Sequence, residues 1–396
     1  MIARIKNQIT QISILTIICV IVLSNLCNQF CFGQSFFSMR GFGEELLYTD
    51  ATASSLGGLV GLGRVNPSFP LSLSKTTFSA TVFSNFVYGQ QSGNSRMIYD
   101  IRPVTLDGKF PLPYQLRVGI KLSELFNQNF NIYSDSIPFS GTWTRRHIIG
   151  QGGIYGLSVN VGKSLFKDKL ALSFEYSKLL GQALESWYFE VLSGNSYITH
   201  DSVITTYSAH RLCFGAFANI NYLSFGLVME DILPGIINSK VISHSVVVDS
   251  VNGLTFNLPY GVGFGIVFDK FPKTKFMADF MYRNWEKATI ADASIPSLRN
   301  SMKYSLAVEH WLTDKYPLRV GLRYYASYLS DHTGKGIDEF ALSCGSSVPI
   351  PKFGSFAYSL EIIRRQGQEV KETIGRLNIS LYYEEVWKKR TRRWGF

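Results

Sequence analysis

The sequence predicts an all-β protein, an antiparallel transmembrane β-barrel of about fourteen strands. Three observations predict it. The first is strict alternation between Leu258 and Tyr325. Tyr260, Val262, Phe264, Ile266 and Phe268 share one face, with Gly261, Gly263 and Gly265 between them. Phe276, Ala278, Phe280 and Tyr282 alternate with Met277, Asp279, Met281 and Arg283. Tyr304, Leu306 and Val308 alternate with Lys303, Ser305, Ala307 and Glu309, and Leu318, Val320, Leu322 and Tyr324 with Arg319, Gly321, Arg323 and Tyr325. Strand side chains point to opposite faces with a period of two, so each segment has one greasy face and one of glycine, charge and small polar groups. Aromatic residues cap the apolar rows at their ends. That arrangement turns the greasy face to lipid and the charged face inward. The second observation is composition: 14% of the 396 residues are aromatic and 17% are charged. This is rich in rings and poor in charge for a water-soluble protein, yet mean hydropathy is near zero. A helical membrane protein of this size is far more apolar, whereas a barrel wall is polar at every second residue. The third is that no run beyond the N-terminus is long enough for a transmembrane helix.

The chain opens with a targeting segment. Arg4 and Lys6 precede the uncharged run Ile12 to Leu23, and Cys31 and Gly33 supply small residues before Gln34. Basic start, apolar middle and small-residue exit describe a secretory signal peptide over residues 1–33, cleaved before Gln34. The apolar run is shorter than the ~18–20 residues of a spanning anchor. Residues 34–75 lack alternation. They hold a stretch fit for a short helix or two turns at Gly43 to Leu56, then Gly57, Gly58, Gly61, Gly63 and Asn66-Pro67. A compact segment with no lipid-facing row fits inside the lumen of a large barrel, as a hatch or plug.

From Thr76 strands follow one another up to residue 387. Thr76 to Tyr88, Arg96 to Leu106, Tyr114 to Phe126 and Trp143 to Ile149 alternate, as do the rows led by Tyr155, Leu170, Val203 and Tyr222. Val241 to Val248 and Leu254 to Leu258 flank Asp249-Ser250-Val251-Asn252-Gly253, which reads as a hairpin turn. Phe340 to Ile350, Phe356 to Ile362 and Leu377 to Tyr383 complete the wall. Segments of roughly 9–13 residues suit a tilted crossing of a bilayer. Residues 388–396 form a basic tail with Lys388, Lys389, Arg390, Arg392 and Arg393, five of the formal net charge of +10. It reads as a solvated end rather than a nucleic-acid site.

Chemistry-bearing constellations are few. Cys213 and Cys344, the two cysteines past the signal peptide, lack metal-type spacing, and the histidines lack ligand spacing. His200-Asp201-Ser202 sets three triad residue types side by side, but neighbours on a strand cannot converge on one point. Gly150-Gln151-Gly152-Gly153 is followed by a strand where a phosphate loop needs a helix. The expectation is therefore no enzyme, no cofactor and no metal. Asp279, Arg283, Lys303, Glu309, Arg319 and Arg323 share the inward parity of consecutive strands. A charge facing lipid costs roughly 2–4 kcal/mol at the midplane, so these six are expected to line the lumen. They either grip a plug or pair across strands as filler.

These residues resemble the FadL-like outer-membrane proteins, hydrophobic-compound transporters with PorV-type secretion barrels among their relatives. Ser55-Leu56-Gly57-Gly58 with Asn66-Pro67-Ser68 is similar to the family's glycine-pair and Asn-Pro-Ala pattern. Leu258-Pro259-Tyr260-Gly261-Val262-Gly263, leading to Ala278-Asp279-Phe280 and Trp285, and Tyr316-Pro317-Leu318-Arg319-Val320-Gly321 resemble two of its strands. The resemblance implies a fourteen-stranded barrel plugged by an N-terminal hatch, with Gly57, Gly58, Asn66 and Pro67 in that hatch. It also implies lateral or vertical passage of hydrophobic solutes, of fatty-acid or hydrocarbon type, through the outer membrane. The expected partners are outer-membrane lipid and hydrophobic small molecules, with no nucleic acid. A second reading is a barrel that serves a protein secretion or surface-assembly system, with secretion-system proteins as partners.

Overall fold

Alternating residues give fourteen long strands, and each pairs antiparallel with its sequence neighbours. The structure is a computed structural model. It describes residues 35–385 except 40, 70–74, 92–93, 134–135, 140–141, 167, 193–197, 296–297, 331–333, 352 and 368–369. The signal peptide and the basic tail expected from the sequence lie outside the described residues. In chain order the strands are β1 (Thr76–Gln91), β2 (Asn94–Pro111), β3 (Leu116–Asn127), β4 (Thr142–Leu165), β5 (Leu170–Val191), β6 (Ile198–Ile220) and β7 (Leu223–Ser243). Then come β8 (Val246–Phe271), β9 (Thr274–Arg283), β10 (Ser301–Thr313), β11 (Tyr316–Ser330), β12 (Gly336–Ile350), β13 (Gly354–Gln366) and β14 (Val370–Glu385). β14 returns to β1 in unbroken register from Val370↔Gln91 to Glu385↔Thr76, which closes the ring. Closure leaves no sheet edge in lipid, where an unsatisfied backbone group costs several kcal/mol.

The two faces of the wall differ as alternation demands. Tyr304, Leu306, Leu322, Leu342 and Ile362 are exposed on the outside, Leu306 and Ile362 at 62%. Residues of the opposite parity are buried: Lys303 is fully enclosed and Asp279 is 4% exposed. Such a continuous apolar belt has lipid as its solvent. Cys213 is buried and Cys344 exposed, so the two cannot meet in a disulfide.

Wall height is uneven. β4 to β8 run for 24, 22, 23, 21 and 26 residues, whereas β9 has 10 and β10 has 13. At about 3.3 Å per residue and ~40° tilt, the longest strand spans roughly 65 Å of barrel axis, well beyond a bilayer. Five of the fourteen strands, β4 to β8, therefore stand above the belt as a wing, at the end opposite Thr76 and Glu385. Here the sequence reading needs correction. Asp249 to Gly253 is not a hairpin turn but part of the upper third of β8, with Asp249, Ser250 and Val251 paired to Val241, Lys240 and Ser239. The turn is His244-Ser245, both residues left-handed at φ 49° and 68°. A two-residue turn of that hand matches strand twist even without glycine. Gly253 (φ 75°) instead sits beside a register irregularity, and its N–H donates to Asn238 Oδ1 at 2.8 Å.

Candidate functional site

The segment Ser35 to Phe69 runs along the inward side chains from the wing end to the Thr76 end. Near the wing, Ser35 Oγ donates to the Glu372 carboxylate at 2.8 and 3.0 Å. A 3₁₀ turn, Phe36–Met39, precedes the two-residue strand Glu44–Glu45. Helix α1 (Ala51–Ser55) follows, capped where Ala53 N–H donates to Asp50 Oδ1 at 2.9 Å. It lies on small inward side chains of β12 to β14: Ser54 Oγ meets Ser359 Oγ at 2.7 Å, and Ala51 N–H donates to Ser380 Oγ at 2.8 Å. Gly57 and Gly58 (φ 73° and 76°) end the helix in the left-handed conformation that only glycine takes without strain. At the lower end Asn66 Nδ2 donates to the carbonyls of Gly61, Ala216 and Leu227 at 2.8, 3.2 and 3.1 Å. Pro67 presses on Gly215, where a Cβ would stand 2.9 Å from the proline ring.

Wall glycines are what let the segment come so close. A Cβ on Gly226 would lie 2.1 Å from Gly61 O, one on Gly265 2.4 Å from Leu62, and one on Gly321 2.2 Å from Gly57 N. In the glycine row of β8, Gly263 and Gly265 thus face Val60 and Leu62 of the segment, and Gly261 faces the wall's own Glu230 and Arg283.

Around it runs a buried ionic layer. Asp279 accepts from the Val60 and Gly61 N–H groups at 3.1 and 2.8 Å and faces Lys303 at 3.4 Å. Lys303 Nζ donates to Gly58 O, and Ser305 Oγ donates to Gly57 O at 2.7 Å. Arg283 pairs with Glu45 at 2.7 Å and with Glu230. Arg323 pairs with Glu339 at 2.7 Å and Glu361 at 3.2 Å, over the Tyr48 ring. Glu309 and Arg319 pair with each other at 2.7 Å, directly across β10 and β11. Of the six charges singled out in the sequence, Asp279, Lys303, Arg283 and Arg323 hold the segment; Glu309 and Arg319 fill space. Glu44 belongs to the same layer: burial would raise its carboxyl, but the Arg365 and Arg376 guanidiniums outweigh burial and hold it well below the usual carboxylate range. Burial pushes the Tyr48 phenol up, so it stays protonated and donates to Glu361.

One seam interrupts the wall. β2 and β3 pair only from Thr105↔Ser123 to Pro111↔Arg117. Just above that ladder β2 carries Pro103, which has no N–H to give. β3 bulges between Glu124 and Phe126 and follows β4 alone. Glu44–Glu45 fills the vacated edge, paired antiparallel with Asn127 and Phe126, and Leu46 N–H donates to Leu125 O at 2.8 Å. Arg102 of β2 reaches Glu124 across the seam at 3.0 Å. On the β4 side the Gly150–Gly153 run makes room: a Cβ on Gly150 would meet the Phe130 ring at 2.1 Å. Sequence reading found this run but not its use.

Behind the seam lies a packed apolar cluster. The Phe42 ring stands 6.4 Å from Phe126, 5.8 Å from Phe256 and 6.1 Å from Trp285. Trp285 stacks on Tyr328 at 4.0 Å, and its Nε1 has no hydrogen-bond partner among the described residues. Two cavities lie between segment and wall. One, of about 30 Å³, touches Phe37, Glu44 and Tyr328; the other, of about 40 Å³, touches Glu45, Leu47 and Phe126. Each has room for a few waters and no solute. A groove of about 440 Å³ lies on the outer wall, along Phe276, Ala278, Leu306 and Leu322.

No protein-family model matches the chain, and no curated protein matches it. Solved structures do. The Ralstonia pickettii toluene transporter TbuX superposes with a TM-score of 0.58 at 11% identity, covering 86% of this chain and 99% of that one. A Pseudomonas aeruginosa FadL homologue gives 0.57 at 12%, over 90% and 100%. The P. putida toluene transporter TodX gives 0.56 at 12%, over 87% and 100%. The chain therefore has the FadL-type barrel fold that its sequence resemblance implied.

Proposed function

We propose that the protein is an outer-membrane channel for hydrophobic solutes, held closed by residues 34–75 acting as its hatch. The observation that carries this reading is the seam between β2 and β3 with a packed apolar cluster behind it. A solute dissolved in lipid meets a place where β2 and β3 are not paired with each other; displacement of Glu44–Glu45 and of the Arg102–Glu124 pair then opens the way to the rings. The ionic layer and the packed segment block passage of water and ions, which keeps the membrane tight. Transport of toluene by proteins of the same fold supports a hydrophobic cargo; whether the cargo is an aromatic hydrocarbon or a fatty acid is a matter of the space that opens when the segment moves.

The test is to bridge the seam. In a Cys213→Ser, Cys344→Ser background, Arg102→Cys and Glu124→Cys joined by a short bis-methanethiosulfonate, which forms a disulfide with each cysteine as methanesulfinate leaves, should stop uptake of radiolabelled toluene or oleate into vesicles carrying the protein. Reduction of a cleavable bridge should restore it. Unchanged uptake with the bridge in place would remove the seam as the route, and no uptake of either probe by the unbridged protein would remove the function.

A further inference from the structure

We propose that the outer face of β13 and β14 holds the sugar phosphate of an outer-leaflet glycolipid between Arg364 and Lys371. Both side chains are exposed and point outward, the opposite way from the buried Arg365 and Glu372 beside them. Arg364 lies opposite Thr373, and Lys371 lies opposite Gln366. The two cations are thus diagonal neighbours on one face, roughly 7–8 Å apart at the backbone and within joint reach of a single group. Neither makes a hydrogen bond or ion pair with another of the described residues. The carboxylates around them are engaged elsewhere. Glu339, Glu361 and Glu372 point into the ring, where Arg365, Arg323 and Ser35 take them. Asp338 is outward, opposite Gln366, but Arg299 holds it at 2.7 Å. Like charges held this close on a sheet repel, and an anion between them turns repulsion into attraction.

The pair stands at the level of lipid headgroups. On the outer row of β13, Tyr358, Leu360 and Ile362 are 39%, 54% and 62% exposed, and Arg364 is the next outward position, about 5 Å higher along the axis. Phe340 lies opposite Arg364 and Tyr88 opposite Thr373, both exposed, as in an aromatic girdle. Directly below, Gly375 faces lipid, and nothing stands within 4 Å of where its Cβ would be. Ile362 and Phe86 rise on either side of it. A slot for an acyl chain therefore opens under the cations.

Charge and leaflet name the occupant. A phosphate monoester carries about 1.5 to 2 negative charges at neutral pH and matches the two cations, whereas the phosphodiester of a phospholipid carries a single charge. Turns at the Thr76 end are short, such as Asn221-Tyr222 and Pro272-Lys273, while the longer excursions 128–141 and 284–300 stand at the end of Arg364. Long loops mark the outer side of such a barrel, so the lipid beside Arg364 belongs to the outer leaflet. An acylated sugar phosphate supplies both parts there, a monoester for the cations and a chain for the Gly375 slot. The choice of leaflet rests on the outer-membrane reading above; the match of charges does not.

The experiment is native mass spectrometry of the full-length barrel in detergent, titrated with lipid A bearing its phosphate monoesters, with the same lipid dephosphorylated, and with phosphatidylglycerol. Phosphorylated lipid A should bind one to one, and more tightly than either of the others. Arg364→Gln and Lys371→Gln should each weaken it about fivefold, and together about thirtyfold. Arg364→Lys should keep most of the affinity, and Gly375→Phe, which fills the slot, should lower it. Lys163→Gln removes an exposed outward cation at the opposite edge of the belt and should change nothing. Equal binding of the dephosphorylated lipid, preference for phosphatidylglycerol, a loss with Lys163→Gln as large as with Arg364→Gln, or unchanged binding in the double variant would each overturn the proposal. None of these outcomes bears on solute uptake through the seam, which the toluene and oleate assay reads separately.

Discussion

Gly321→Ala on the inner face of β11 tests whether residues 41–69 are seated as described. The added Cβ would lie 2.2 Å from Gly57 N and 2.4 Å from Leu56 C, both backbone atoms that cannot rotate away. Ordinary contact needs about 3.4 Å, so the segment has to retreat by about 1 Å. That retreat strains the Gly57 N–H bond to Ser343 Oγ (3.1 Å) and the Ser305 Oγ bond to Gly57 O (2.7 Å). Overpacking of this kind costs about 1–3 kcal/mol, and a midrange 2 kcal/mol raises the population of the displaced segment roughly thirtyfold. Hydrogen exchange in detergent at neutral pH should show the amides of residues 54–61 exchanging faster by that order, while the wall strands keep their protection. Gly375→Ala is the control, since nothing stands within 4 Å of its added Cβ. If the two variants exchange alike, the close approach between β11 and the segment does not exist and the account of the wall glycines fails.

Lys303→Met should destabilise the barrel by about 3–5 kcal/mol in urea unfolding from micelles, because Asp279 is left buried without its cation; adding Asp279→Asn should recover part of this. For Glu44 the folded-state value lies below the ordinary one, so its contribution is fully present above the usual carboxylate range and is lost only as pH falls through the depressed value. Exchange protection of residues 41–48 should therefore hold at pH 4, and loss of it between pH 6 and 5 would contradict the Arg365 and Arg376 pairing. Intact mass of the purified protein should correspond to a chain beginning at Gln34, and a mass retaining residues 1–33 would remove the signal peptide reading.

Strands were legible because alternation is enforced twice, by lipid outside and by the ionic layer inside. Any residue of the wrong parity in β10 or β11 meets one or the other, which is why Lys303 and Arg323 could be placed by parity alone. The wing was not legible. Above the belt neither solvent constraint applies, so Val246 to Leu254 mixes valine with polar residues, and an Asp-Ser-Val-Asn-Gly run there looks like a turn. Its actual turn, His244-Ser245, carries none of the usual residues. Gly57, Gly58, Asn66 and Pro67 stood out in the sequence, but the wall positions that the segment touches did not, since Gly215, Gly226, Gly321 and Gly345 are spread over four strands with no shared spacing. The seam left one sign, Pro103 in a strand, and nothing in the sequence says that Glu44–Glu45 is the piece that fills it.

The direction in which the N-terminal segment crosses the ring has a consequence for how the ring works. Ser35 lies near the wing, while β1 begins at Thr76 at the other end. Given the proposed cleavage before Gln34 and the proposed hatch role, the segment is a thread with its free end up and its anchored end down. A thread held that way can be drawn out only toward its anchor. Its displacement would then empty the lumen downward, toward the side where the strands start and stop. The barrel would act as a one-way latch, in which whatever dislodges Ser35 from Glu372 and the ring cluster frees a path to one compartment only.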